Sequence, residues 1–134
     1  MFKKNTSLII YLLILLFFGS CNNICKNEII KIEISPDGKY KAIAFIRSCG
    51  ATTSFSPQVL ISRQSISFSD KDIGNIFIGN HSKDINIYWE SSTCLIILHN
   101  SAEKDVFTKI SKYENIDIKY IFSDDVFDER NLYR

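Results

Sequence analysis

Cysteine, threonine, serine and histidine are among the side chains of this sequence with covalent chemistry open to them, and several crowd one stretch. Cys49 is followed by Gly50-Ala51-Thr52-Thr53, and Ser54 comes next. With His81 or His99 as base, any of Cys49, Thr52, Thr53 or Ser54 supplies the residue types of an activated nucleophile. Such sets are defined by geometry, however, and spacing alone assembles none here. His81 falls in a turn at 79–83 and His99 closes a strand. A second cluster, Asp70, Asp72 and Asn75 around Gly74, echoes part of a calcium loop. It lacks the third ligand and the distant bidentate glutamate. Neither zinc-ligand spacing nor a phosphate-cradling glycine loop occurs. The expectation is a protein with no catalytic residue, no metal site and no cofactor.

What Cys49 can be depends on compartment. The 134-residue chain opens MFKKNTSLIIYLLILLFFGSCNN. Two lysines, Lys3 and Lys4, precede an apolar run over 8–18, and Gly19 and Ser20 lead to Cys21. A basic stretch, a short apolar stretch and small residues read as a secretory signal. The run is short of the roughly 20 apolar residues that a membrane span needs. Cysteine directly after the small residues resembles a bacterial lipobox, although Phe18 stands where leucine is commonest. The expected organisation is a lipoprotein signal peptide over 1–20, removed on maturation, a lipid on Cys21 and a short tether over 21–27. A β domain over 28–122 and an acidic tail over 123–134 follow. Losing Lys3 and Lys4 from 16 basic side chains leaves near balance with the 15 acidic ones. No basic run with interleaved aromatics appears, so nucleic acid is not expected as a partner.

Segments 29–34, 39–47, 58–63, 75–78, 84–90, 93–99, 106–110 and 116–122 are rich in Ile, Val, Phe and Tyr and mostly alternate apolar with polar residues. That is the pattern of half-buried strands. Turn clusters separate them, and no apolar stripe of helical period lasts three turns before residue 123. The expected fold is all-β: one small antiparallel sandwich or barrel-like meander of about seven or eight strands. The tail SDDVFDERNLYR has room for a short helical turn.

The first hairpin carries enough turn chemistry to assign a register. Pro36 and Asp37 suit a type I turn and Gly38 the left-handed residue after it, a three-residue loop with a bulge. Ser35 then faces Lys39, Ile34 faces Tyr40, Ile32 faces Ala42 and Ile30 faces Ala44, forming one apolar face. Glu33 falls opposite Lys41 on the other. Continued down the ladder, the same register sets Cys25 opposite Cys49, within reach of a disulfide. Outside the reducing cytosol that bridge is chemically permitted. Cys94 is left over, a small buried hydrophobe in an apolar strand.

The pattern Ser35-Pro36-Asp37-Gly38-Lys39, then Cys49 to Thr53, Phe55-Ser56, Gly74-Asn75 and Trp89 resembles a family of short uncharacterised bacterial proteins, many of them lipoproteins. The resemblance spans roughly residues 30–122. It implies a second cysteine upstream of the SPDGK turn, where Cys25 stands, and it implies no activity. SPDGKYKAIAF is also similar to the start of a blade in TolB-type and WD40-like propellers, with a degenerate second copy at 89–98. Two blades cannot close a ring of at least four, so hairpin chemistry is all that this likeness carries.

The segment Gly50-Ala51-Thr52-Thr53-Ser54-Phe55-Ser56-Pro57 is small, hydroxyl-rich and anchored at its start by Cys49. Rigidly anchored loops are where binding usually resides, which makes Thr52, Thr53 and Phe55 the candidate interaction loop. The reading that results is a non-enzymatic β domain of a lipoprotein in the bacterial cell envelope. It is held to a membrane by lipid and recognises an envelope protein, peptide or glycan. The alternatives are a purely structural or immunity-type accessory lipoprotein and an enzyme using residues 49–53.

Overall fold

The computed structural model describes residues 9–14 and 24–122, so Cys21 and the acidic tail lie outside the described residues. Residues 9–14 are helical and exposed. Nine strands form the remainder: β1 (Lys26–Ile34), β2 (Tyr40–Ser48), β3 (Ser56–Arg63), β4 (Phe77–Gly79), β5 (Ile85–Ser91), β6 (Cys94–His99), β7 (Val106–Lys109), β8 (Lys112–Tyr113) and β9 (Ile116–Phe122). A single 3-10 turn, Glu103–Asp105, precedes β7. One sheet has the order β1-β2-β3-β4-β7 and the other β5-β6-β9-β8. Their inner faces pack as a sandwich, the all-β architecture that the alternating segments predict.

Small and large side chains interdigitate in the core, which brings interiors to crystal-like density. Ala42 and Ala44 of β2 lie beside Ile61 and Val59 of β3. With Phe77 and Ile76 they meet Ile85, Ile87, Leu95, Ile97, Ile116 and Ile118 of the second sheet. Residues 64–73 strap the outer face of the first sheet. Phe68 packs edge-on against Phe45 at 4.9 Å, and Arg47 Nη1 donates to the carbonyls of Asp70 and Asp72.

Two expectations are corrected. The chain is not a simple meander: β6 and β9 run parallel, with Cys94 opposite Asp117 and His99 opposite Phe122. After β7 the chain crosses to the second sheet, and the two-residue β8 turns it back so that β9 enters beside β6 in the same direction. The Tyr120 hydroxyl marks the crossing, lying 2.7 Å from the Ile110 carbonyl and 3.0 Å from that of Ile76.

The second correction concerns the first hairpin. Its loop holds four residues, and Ser35 pairs with Tyr40 rather than Lys39. The Ser35 N–H donates to the Tyr40 carbonyl at 2.9 Å, and the Tyr40 N–H donates to Ser35 Oγ at 3.0 Å. Asp37 Oδ1 accepts from the Ser35 hydroxyl and the Lys39 N–H. That carboxylate occupies the Lys39 N–H that a three-residue loop would commit to the ladder. A one-residue offset turns every side chain of a strand over. Ile34 therefore faces Lys41, Glu33 faces Ala42 and Ile32 faces Ile43. The isoleucines of β1 stand outside, with Ile32 50% exposed, while Lys31 and Glu33 turn towards β5. Lys31 Nζ donates to the Ile87 carbonyl at 2.9 Å, and Trp89 Nε1 donates to the Glu33 carbonyl at 3.1 Å. Charged residues pointing inward on an edge strand discourage pairing with another sheet.

This register is testable. Ile32→Ser should change stability by less than about 0.5 kcal/mol, as surface substitutions do, whereas Ile61→Ala should cost about 2–5 kcal/mol. Denaturant unfolding measures both; a core-sized loss at Ile32 would restore the three-residue loop.

Candidate functional site

One end of the sandwich gathers the residues with chemistry. β1 begins there, β2 ends there, and a bulge in β1 between Ile29 and Lys31 shifts the pairing so that Lys26 lies opposite Ser48. Cys25 and Cys49 come next to each other and are joined as a disulfide. The offset at the turn and the bulge cancel, so the cysteine pairing expected from a uniform ladder holds although the ladder is not uniform. Cys49 is consequently no thiol nucleophile.

Beyond the bridge, the loop divides its expected residues. Thr53 is architectural: its Oγ1 donates to the Gly50 carbonyl at 3.0 Å and accepts the Cys49 N–H at 3.2 Å. Gly50 adopts φ +114°, a left-handed conformation that favours glycine. Thr52 is exposed. Phe55 is 43% exposed, and Lys83 Nζ sits over its ring at 3.8 Å from the centroid, a cation–π contact. Phe55 divides two shallow grooves. One is bounded by Thr53, His81 and Lys83, the other by Lys26, Ile46 and Asp70. His81, with φ 56°, has its Nδ1 3.0 Å from Asp105 Oδ1. Asp70, Asp72 and Asn75 are engaged within the fold. Asp70 accepts the Asn27 N–H, Asp72 accepts the Ser69 N–H, and Asn75 makes two bonds to the Ile61 backbone.

The same end holds a pair of buried polar groups: His99, considered from the sequence only as a candidate base, and Ser101, which sequence reasoning missed. His99 lies opposite Ile85 on the inner face, stacked at 4.7 Å from Phe77 and 6.2 Å from Tyr120. It is 3% exposed and Ser101 2% exposed. Among the described residues, neither ring nitrogen nor Ser101 Oγ has a hydrogen-bond partner. Both residues line the floor of an open cleft of about 660 Å³ whose rim includes the exposed Lys109 and Phe122. Burial, then the Lys109 charge, push the His99 pKa below its usual value against a weaker opposing contact with the Ser101 backbone, which favours the neutral imidazole. The signal was present in the alternation Leu95, Ile97, His99, which assigns His99 to the inward face.

The profile of DUF5412, a family of unknown function, matches residues 1–115. The chain belongs to this family. The matched region runs from the basic and apolar N-terminal segment through β8. No curated protein matches the chain, and no solved structure does. Membership in DUF5412 agrees with the expectation of an uncharacterised family, and it carries no activity. Among the described residues of this DUF5412 member, no helix is long and apolar enough to cross a membrane. Cys94 is free and buried, and burial, then Glu90, raise its pKa.

Two predictions test this end of the DUF5412 domain. Cys25→Ser and Cys49→Ser should each destabilise by about 2–4 kcal/mol, and the double variant should cost little more than either, since one bridge is lost in all three. Alkylation of the unreduced protein should reach Cys94 only after unfolding; labelling of Cys49 in the folded state would refute the bridge. The lowered His99 pKa has a definite sign as well. The unfolded imidazole binds a proton more readily than the folded one, so stability should fall as pH drops through about 6.5. The melting temperature of His99→Phe should decline less between about pH 7.5 and pH 5 than that of the wild type.

Proposed function

We propose that this protein is a lipid-anchored lipoprotein of the bacterial cell envelope whose β domain binds a partner and catalyses no reaction. The observation that carries the binding role is Phe55, a half-exposed aromatic on a disulfide-anchored loop with Lys83 across its face. Aromatic side chains held rigidly at a surface are the usual anchors of recognition, since little conformational freedom is lost when they are covered. A cation beside the ring adds attraction for an anionic or hydroxyl-rich partner. An envelope protein, a peptide and a glycan all have that chemistry.

The anchor follows from the N-terminal pattern, in which lysines, an apolar run and small residues precede Cys21. Acyl chains on that cysteine contribute roughly 0.8 kcal/mol for each buried methylene. Three residues separate Cys21 from Cys25, four Cα-to-Cα steps and a reach of about 14 Å at full extension. Because β1 starts at the end that carries Phe55, the proposed recognition surface faces the bilayer to which the lipid holds it. The partner is then a membrane-proximal one.

Two measurements test this reading. Fatty-acid analogue labelling should mark the wild type and leave Cys21→Ala unlabelled and unprocessed; equal labelling of both removes the anchor. Phe55→Ala should keep the melting temperature within a few degrees while eliminating a partner captured from envelope extracts by the wild type. A core-sized loss of stability, several kcal/mol, would instead make Phe55 a packing residue.

A further inference from the structure

We propose that the cavity between β6, β7 and β9 is a binding site for a small carboxylic acid with an apolar or aromatic body, held by Lys109, His99 and Ser101. Buried polar groups in folded proteins nearly always have partners, and leaving one without costs about 1–3 kcal/mol. Here the three unpartnered atoms, His99 Nδ1, His99 Nε2 and Ser101 Oγ, belong to two neighbouring residues that line one cavity. Apolar ligand sites of a few hundred Å³ with a few convergent polar groups have this composition.

The lining selects the ligand. Val106, Tyr120 and Phe122 present apolar surface, which suits a hydrocarbon or ring. Lys109 Nζ stands 4.8 Å from the centroid of the Tyr120 ring, and it has no carboxylate within 4 Å among the described residues. The Ser101 hydroxyl and the single N–H of a neutral His99 are covered donors, so a small rotation of each side chain brings it to a carboxylate oxygen beside the lysine charge, while the second His99 nitrogen is an acceptor that a carboxylate leaves unpaired. Glu103, at the exposed rim, disfavours a second negative charge, which argues for a monocarboxylate. Gly79 lies behind Ser101 rather than in the lining, and glycine there leaves room for the Ser101 side chain: a Cβ would come within 2.5 Å of Ser101 Oγ and 3.2 Å of the Phe77 ring. This cavity is separate from the Phe55 grooves, and its occupancy does not depend on the protein-binding role.

Phenylacetate is a suitable probe, with phenylacetamide and phenethylamine as its neutral and cationic counterparts, titrated against the full mature protein. We expect phenylacetate to shift the His99 ring resonances saturably with a Kd on the order of 1 mM or tighter. The amide and the amine should bind at least about tenfold more weakly, since neither pairs with Lys109. Lys109→Met should weaken phenylacetate by about tenfold without lowering the melting temperature. His99→Phe, which fills the site with an apolar ring, should abolish binding while leaving the protein folded. Absence of a saturable shift at about 10 mM phenylacetate, or equal affinity for the amine, overturns the proposal. So does a response of His99 to Asp124→Asn and Asp125→Asn with none to phenylacetate, which would make the chain's own acidic tail the occupant.

Discussion

Ser35 pairs with Tyr40, and the face that each residue of β1 presents to the sandwich descends from that contact. A strand presents alternate residues to opposite sides, so the first pair after a turn dictates which side every later residue occupies. Asp37 makes the pairing by accepting from both the Ser35 hydroxyl and the Lys39 N–H, which withdraws Lys39 from the ladder. Those two bonds also hold the Asp37 carboxyl below its usual pKa, with Ser35 the larger influence. Tyr40, Ala42, Ala44 and Ile46 then face the core. Lys31 and Glu33 close the side of the sandwich over β5, and the β1 isoleucines remain outside.

The bulge at Ile30 is the complement of that turn. It restores the lost residue before the strand ends, so that Cys25 reaches Cys49. The turn and the disulfide thus grip the two ends of a single hairpin, and the bulge reconciles their demands. In the chain-entropy account the bridge limits the unfolded ensemble by about 3 kcal/mol for a loop of this length. Its local consequence is as important: it pins the start of the 50–55 loop, whose internal bonds through Thr53 leave Phe55 standing at the rim.

Concentration of polar chemistry at that end has a structural origin. β2, β4, β6 and β9 finish there and β1, β3, β5 and β7 begin there, so the segments 49–55, 80–84 and 100–105 are neighbours. Phe55, Lys83, His81 and Asp105 form one connected rim, and His99 with Ser101 lies just inside it. The opposite end, with the SPDGK turn, is tied instead through Glu114, which bonds Tyr40 and Arg63.

Much of this was written in local sequence. Alternating Ile, Val and Phe segments determine strands because only that periodicity buries one face of a sheet, and the glycine and proline clusters mark their limits. Cysteine placement pointed to the disulfide, although the turn register from which it was extended was off by one residue and the bulge in β1 made up the difference. Only the tertiary structure decided three further matters. The register near the turn depended on side-chain oxygens competing with backbone groups, and residue type does not rank that competition. The parallel approach of β9 to β6 depended on where the chain crossed between sheets, a choice among long-range pairings that no local window contains. The meeting of His99 and Ser101, at the end of β6 and just after it, with Lys109 of β7 and Tyr120 of β9 around one cavity joined three strands, because unsatisfied polar groups become visible only once their surroundings are assembled.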